Sequence, residues 1–278
     1  MRKMSIVPIA LLILAIVLVP GSAAAAADQD TSVLIRDVRI WDGTSGTLTG
    51  PMNVLIQGHL IQSMSASSLK ATGEATVLDG GGRVLMPGLM DMHQHLAIVL
   101  GPADLRNNYD WMYNGAVAGD EAHKMLLRGF TTVRDIGGPT LGLARAIDEG
   151  RIHGPRIYAS GALISQTSGH GDFRNYNDPH PNLTGERQLM DRLGWSILAD
   201  GPDEVTRTVR EELRKGATQL KLMAGGGVAS SYDPIETIQY TPEELRAAVT
   251  AAANYDTYVA VHAYTPMPPS ARPWKRAS

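Results

Sequence analysis

The sequence predicts an α/β protein organised on a parallel sheet and entered through a small all-β region. Three observations predict it. Short apolar runs between turn signals fill residues 33–84, and from residue 85 strand-like runs alternate with helical stretches. Side chains able to bind or react fall at the ends of those later strands. Closely spaced short strands build a β domain, whereas strand–helix–strand alternation builds a parallel sheet, open or closed.

In the β region, Val33-Leu34-Ile35 and Val38-Arg39-Ile40-Trp41 lead to an Asp42-Gly43 turn. Val54-Leu55-Ile56 leads to a Gln57-Gly58 turn, and Leu60-Ile61 and Val77-Leu78 precede Gly80-Gly81-Gly82. Gly and Asp accept tight-turn backbone angles, which is why they punctuate such strands. His59, in the second turn, reads as solvated. The run from Val84 to Leu96 is the first strand of the alternating part, buried and ending in two histidines.

A helix over residues 116–127 then leads to the strand Phe130-Thr131-Thr132-Val133-Arg134-Asp135. A helix over 141–149, stopped by Gly150, leads to Arg156-Ile157-Tyr158-Ala159-Ser160. Residues 203–215, stopped by Gly216, lead to Ala217-Thr218-Gln219-Leu220-Lys221-Leu222-Met223. The helix opened by Thr241-Pro242-Glu243-Glu244 leads to Thr257-Tyr258-Val259-Ala260-Val261-His262. Thr241 suits the N-cap, Pro242 the first turn, and the two acids the positive end of the helix dipole.

The chain of 278 residues is 44% apolar and 19% charged, ordinary for a globular protein with a large core. A formal net charge of −3 gives no electrostatic footprint for nucleic acid. Absence of cysteine excludes disulfides and thiolate ligands together, so a metal would sit on nitrogen and oxygen. Arg2 and Lys3, the apolar stretch from Ile6 to Val19 and the small residues Ala23 to Ala27 are laid out as a secretory signal peptide. The apolar stretch is shorter than the roughly 20 residues of a membrane span and is interrupted by Pro8. Residues 1–27 are therefore expected to direct export to the periplasm or beyond, with no stable membrane anchor.

Alternate side chains of a strand share a face, so His93 and His95 point the same way, a good start on a transition-metal site. His-x-His alone equally describes two surface histidines. Lys221 shares a strand face with Gln219 and Met223, opposite Leu220 and Leu222. A buried ammonium is costly unless paired or neutralised, so by itself this lysine suits a rim position or an acidic partner. His262 ends the fifth strand, where a single histidine is ordinarily a satisfied core or rim residue. His170, in Ser168-Gly169-His170-Gly171-Asp172, would by itself be a solvated loop residue. Tyr232 either binds a substrate carboxylate or lies on the surface. Asp135 either contacts substrate or caps the Gly137-Gly138 turn, with Arg134 structural. His123, His153 and His180 are assigned to solvent.

Pro87-Gly88-Leu89-Met90-Asp91-Met92-His93-Gln94-His95-Leu96 resembles the first-strand signature of the amidohydrolase superfamily. More narrowly, the chain is similar to its imidazolonepropionase-like and Xaa-Pro dipeptidase-like branch, over about residues 33–265. The resemblance implies an incomplete TIM-like (β/α) barrel with a small N-terminal β-sandwich domain. Residues 28–84 would belong to the sandwich, residues 85–265 to about five barrel strands, and residues 266–278 to an atypical proline-rich tail.

It further implies a divalent metal, Zn²⁺ in a binuclear centre, held by His93, His95, His262 and a carboxylated Lys221. His170 would line the substrate site or stand behind it, through a similar Gly-His-Gly-Asp segment, and Tyr232 and Asp135 join it as candidate substrate contacts on their own residues. The implied reaction is hydrolysis of a C–N amide bond in a small peptide, N-acyl amino acid or cyclic amide. The implied partner is that small molecule or short peptide.

The family also takes a histidine from its sixth strand and a catalytic aspartate from its eighth. Neither position is found, so no catalytic base is assigned, and a truncated product with an unrelated tail and little independent stability is expected. Two rivals remain: a catalytically dead binding product, and a mononuclear deaminase of the same superfamily, which does not use a lysine carbamate.

Overall fold

Apolar residues at alternate positions give the first part of the chain its sheet. The computed structural model describes residues 31–71, 73–101, 104, 108–230 and 232–264. The expected export segment, 1–27, and the proline-rich tail, 266–278, lie outside the described residues. The chain divides into two compact units between Pro87 and Gly88. No helix among the described residues is long and apolar enough to cross a membrane.

The first unit is one four-stranded sheet of β1 (Ser32–Ile40), β2 (Pro51–Gln57), β3 (Leu60–Ser65) and β4 (Ala75–Leu85), in the order β3-β2-β1-β4. A hairpin turned at Gly58 (φ 56°) joins β2 to β3. β1 runs antiparallel to β2 and parallel to β4, and Leu34, Val38, Val54 and Leu55 form the buried set. The two strands expected over 33–41 are a single strand with a bulge at Asp37 (φ 51°). Gly80 of β4 makes room for that bulge, because a Cβ there would collide with Val38 and the Arg36 and Asp37 carbonyls. The described residues of this unit form one layer. Val84 and Leu85, expected to open the first barrel strand, instead finish β4.

The second unit alternates strands and helices. In chain order these are β5 (Leu89–Gln94), α1 (Trp111–Leu127), β6 (Phe130–Asp135), α2 (Leu141–Asp148), β7 (Arg156–Ala159) and β8 (Leu163–Ser165). They continue with α3 (Pro181–Thr184), α4 (Leu189–Arg192), β9 (Ser196–Leu198), α5 (Gly201–Arg214), β10 (Leu220–Met223), α6 (Pro242–Ala253) and β11 (Val259–His262). Every strand pair is parallel, in two ladders ordered β5-β6-β7 and β11-β10-β8-β9. The expected third strand is β7, and β8 follows it as a further three-residue strand too short to show a period. β7 pairs with β6, the chain turns at Gly161 (φ 72°), and β8 pairs with β10. A bond from Thr218 N to the Ala159 carbonyl at 2.9 Å ties the two ladders together.

Helices cover one side of the strands. α1 and α2 pack Ala122, Met125 and Ile147 against Val133 and Ile157. α5 and α6 pack Val205, Val209, Leu245 and Ala248 against Ile164, Leu220 and Leu222. The helix predicted from Thr241 carries a complete capping box with Glu244, and Pro242 sits in its first turn. The short α3, α4 and β9 escaped prediction because four residues or fewer show no period.

β5 departs from expectation in burial. Met90 is 64% and Met92 51% exposed, because among the described residues β5 pairs with β6 alone.

Candidate functional site

The strands bring His93, His95, Lys221 and His262 to the wall of one cavity of about 210 Å³, together with His170. The carboxyl ends of parallel strands are where such folds gather chemistry. His93 lies in β5 and His95 one residue past its end, with ring centroids 5.3 Å apart and planes at 67°. The shared face expected from strand periodicity is therefore present. His95 Nδ1 lies 3.0 Å from the Gly137 carbonyl, contributed by the turn after β6. Only a protonated Nδ1 can donate to that oxygen, which leaves the lone pair on Nε2.

Lys221 sits in the middle of β10, 2% exposed, between Leu220 and Leu222, which face the α5–α6 core. Among the described residues no carboxylate pairs with its ammonium and no hydrogen bond holds it. Burial, aided by the positive charge of Arg134, brings its pKa down from 10.5 to about 8. The rim or acid-paired arrangement expected of such a lysine is not what the strand provides. The lowered pKa gives the amine a larger neutral fraction than an ordinary lysine has.

His262 ends β11 with Nε2 3.1 Å from the Gly226 carbonyl. Its ring stacks on His170 at 4.1 Å, with planes only 5° apart. Burial is the main cause holding His93, His95 and His262 below the usual histidine pKa, and so neutral near pH 7. Gly227 lets the His170 ring in, because a Cβ there would collide with that ring. Opposite the polar cluster, Ile98, Leu100, Phe173, Met190 and Trp195 form an apolar wall.

The other predicted residues stand apart. Asp135 is fully buried and is not among the residues lining the cavity. Its Oδ2 accepts the Leu96 backbone N–H at 2.6 Å, and its Oδ1 accepts the Thr140 hydroxyl at 2.8 Å. Burial pushes its pKa up to about 6, and a bond from the Gly137 N–H opposes that shift. Of the two roles weighed for Asp135, these bonds are those of the turn-closing one. The Tyr232 hydroxyl donates to the Arg174 carbonyl at 3.0 Å, and Tyr232 is not among the residues lining the cavity.

Arg134 donates to the Met92 carbonyl at 2.6 Å and to the Tyr258 hydroxyl at 3.2 Å, tying β6 to β5 and to the residue just before β11. His180 is not solvated as expected. Its Nδ1 accepts the Asn182 N–H at 3.1 Å, and its Nε2 lies 3.4 Å from Asp200. His59, His123 and His153 are exposed, as expected. Asp233 and Gln239, both buried behind His170, escaped the sequence reading, because a loop aspartate before a proline looks like any turn residue.

A divalent metal suits this donor set in kind. Four nitrogens surround one cavity, and two of the imidazoles have their second nitrogen fixed by a backbone carbonyl, as metal-bound histidines usually do. Among the described residues no three His, Asp or Glu side chains converge on a single ion position. The imidazoles instead form two pairs, His93 with His95 and His170 with His262.

A match to the amidohydrolase family spans residues 84–266 and so includes every residue of this cluster. The chain belongs to the amidohydrolase family. This amidohydrolase is 38% identical over 193 residues to the ochratoxinase of Aspergillus niger, covering 65% of this chain and 39% of that one. It is 32% identical over 139 residues to a 5'-deoxyadenosine deaminase of Methanothermobacter thermautotrophicus, covering 44% and 31% of the two chains. It also superposes on the structure of a prolidase complexed with N-methylphosphonate-L-proline. The TM-score is 0.77 at 36% identity, over 84% of this chain and 56% of that one. The amidohydrolase chain thus spans between about two fifths and three fifths of the length of the first of these relatives and of the prolidase. Its fold is the α/β TIM-like barrel of the family, in its peptidase-like branch.

Proposed function

We propose that this chain carries the metal-binding part of a hydrolase acting on the C–N amide bond of a small peptide, N-acyl amino acid or cyclic amide. The single observation that carries the reading is Lys221, an amine buried among imidazoles with no acid to pair with. A lysine kept partly neutral is a nucleophile. Its free amine adds to carbon dioxide, forming an N–C bond and releasing one proton. The resulting carbamate would offer two oxygens as ligands to a bound ion. His93, His95 and His262 would then hold Zn²⁺ together with the carboxylated Lys221. A bound divalent ion would acidify water toward neutral pH and polarise the scissile carbonyl.

The residues of the chain do the rest. The apolar wall excludes water and seats the non-polar part of the substrate, and the carbonyls of Gly137 and Gly226 keep two imidazoles in their ligating tautomers. Among the described residues no carboxylate lines the cavity, so no general base is assigned to them.

The relatives named above, an ochratoxinase and a prolidase, support the amide-hydrolase reading. The deaminase relative keeps a second reading open, one that needs one ion and no carbamate. Metal analysis after loading with zinc and bicarbonate separates the two. Two ions per chain and a ¹³C carbamate signal that Lys221→Ala abolishes support the hydrolase. One ion and no carbamate support the deaminase, and no bound metal favours a binding product without catalysis. We also propose export directed by residues 1–27, which N-terminal sequencing of the secreted protein tests.

A further inference from the structure

The histidine stacked on His262 is held from behind by a carboxylate to which the hydrolytic reading gives no task. His170 Nδ1 lies 3.0 Å from Asp233 Oδ2 and 3.1 Å from Ser230 Oγ, and the Asp233 side chain is 1% exposed. Buried Gln239 fixes both partners. Its Oε1 accepts the His170 backbone N–H at 2.9 Å, and its Nε2 donates to Asp233 Oδ2 at 3.4 Å. Among the described residues no Lys or Arg pairs with Asp233, and its Oδ1 is buried without a partner.

A carboxylate in that setting requires a hydrogen on the nitrogen in front of it, because a facing lone pair would repel it in a dry site. The hydrogen therefore sits on Nδ1, and the lone pair on Nε2. No described residue bonds to Nε2, and His170 lines the cavity. The parallel stack on His262 and the close approach of Gly227 leave the ring a single orientation.

We propose that Asp233 is the positioning residue that sets His170 in its Nδ1–H tautomer, so that Nε2 accepts a hydrogen bond from the N–H of an amide in the cavity. Only the identity of that N–H donor rests on the amide-hydrolase reading; the tautomer does not.

The test is ¹⁵N NMR of the histidine-labelled full chain at alkaline pH, with His170→Gln assigning the signals. The wild-type chain should show a protonated Nδ1 and an unprotonated Nε2. Asp233→Ala should let the Ser230 hydroxyl donate to Nδ1 and move the hydrogen to Nε2, while Ser230→Ala should leave the wild-type pattern. A wild-type Nε2–H tautomer, or an unchanged pattern in Asp233→Ala, overturns the assignment. The wild-type spectrum alone decides the tautomer if the Asp233 variant does not fold. N-benzylacetamide should shift the Nε2 signal, and N-benzyl-N-methylacetamide, which has no N–H, should not. Equal shifts, or none with either probe, overturn the acceptor role. Because these readouts need no turnover, they stand whether or not the chain hydrolyses an amide.

Discussion

Replacing Lys221 with methionine should stabilise the metal-free protein, and the size of the effect follows from its burial. The amine titrates at about 8 in the folded chain against 10.5 for an unhindered lysine. Each pKa unit corresponds to about 1.4 kcal/mol, so the folded state carries a cost of about 3 kcal/mol for holding the charged form. The sign follows from proton counting. Below pH 8 both the folded and the unfolded chains are protonated, and the full cost is present. Between pH 8 and 10.5 the unfolded chain binds more protons, so wild-type stability rises with pH. Above 10.5 the cost is gone.

Methionine has similar bulk and no charge, so Lys221→Met should raise the unfolding free energy by about 3 kcal/mol at pH 7 and by little above pH 10.5. Urea unfolding in chelator and bicarbonate-free buffer, at pH 7 and near pH 10.5, measures it. A variant no more stable than wild type at pH 7, or a gain that does not shrink as pH rises, would show that the amine has a partner. That result would remove the basis for calling it a nucleophile poised for carbon dioxide. A buried unpaired lysine is a costly choice for a fold, and sites that need a reactive group are where such choices are retained.

Three further outcomes are expected. His95→Ala removes an imidazole whose tautomer is fixed by Gly137, and zinc affinity measured by competition with a chromogenic chelator should fall at least tenfold; an unchanged affinity would place the ion elsewhere. Gly227→Ala drives a methyl group into the His170 ring and should cost about 1–3 kcal/mol in thermal unfolding, with perturbed His170 NMR signals. Wild-type behaviour in both measurements would mean that the loop yields freely. Glu212 is 1% exposed, accepts the Ala162 N–H at 3.0 Å and pairs with Lys215 at 2.6 Å. Glu212→Ala should therefore destabilise by about 2–4 kcal/mol, and a loss below about 0.5 kcal/mol would argue that water replaces both contacts.

What the chain determines by itself is local. Strand periodicity puts His93 and His95 on one face whatever surrounds them, and Thr241, Pro242 and Glu244 cap their helix from within four residues. The strand–helix rhythm that makes the sheet parallel is legible for the same reason, since each element repeats its own period. The short strand β8 after the Gly161 turn was not legible, because three residues show no period and its place depends on pairing with β10, from far along the chain.

Partners were likewise decided by the tertiary structure. Asp135 and Asp233 are both loop-edge aspartates in the sequence. One is drawn behind the sheet by the Leu96 N–H and the Thr140 hydroxyl, 39 and 5 residues away, and the other is set behind His170, 63 residues away. Lys221 could have met an acid. Whether a buried charge is paired depends on side chains that arrive from distant elements, and this desolvation, which no local pattern encodes, lowers the Lys221 pKa.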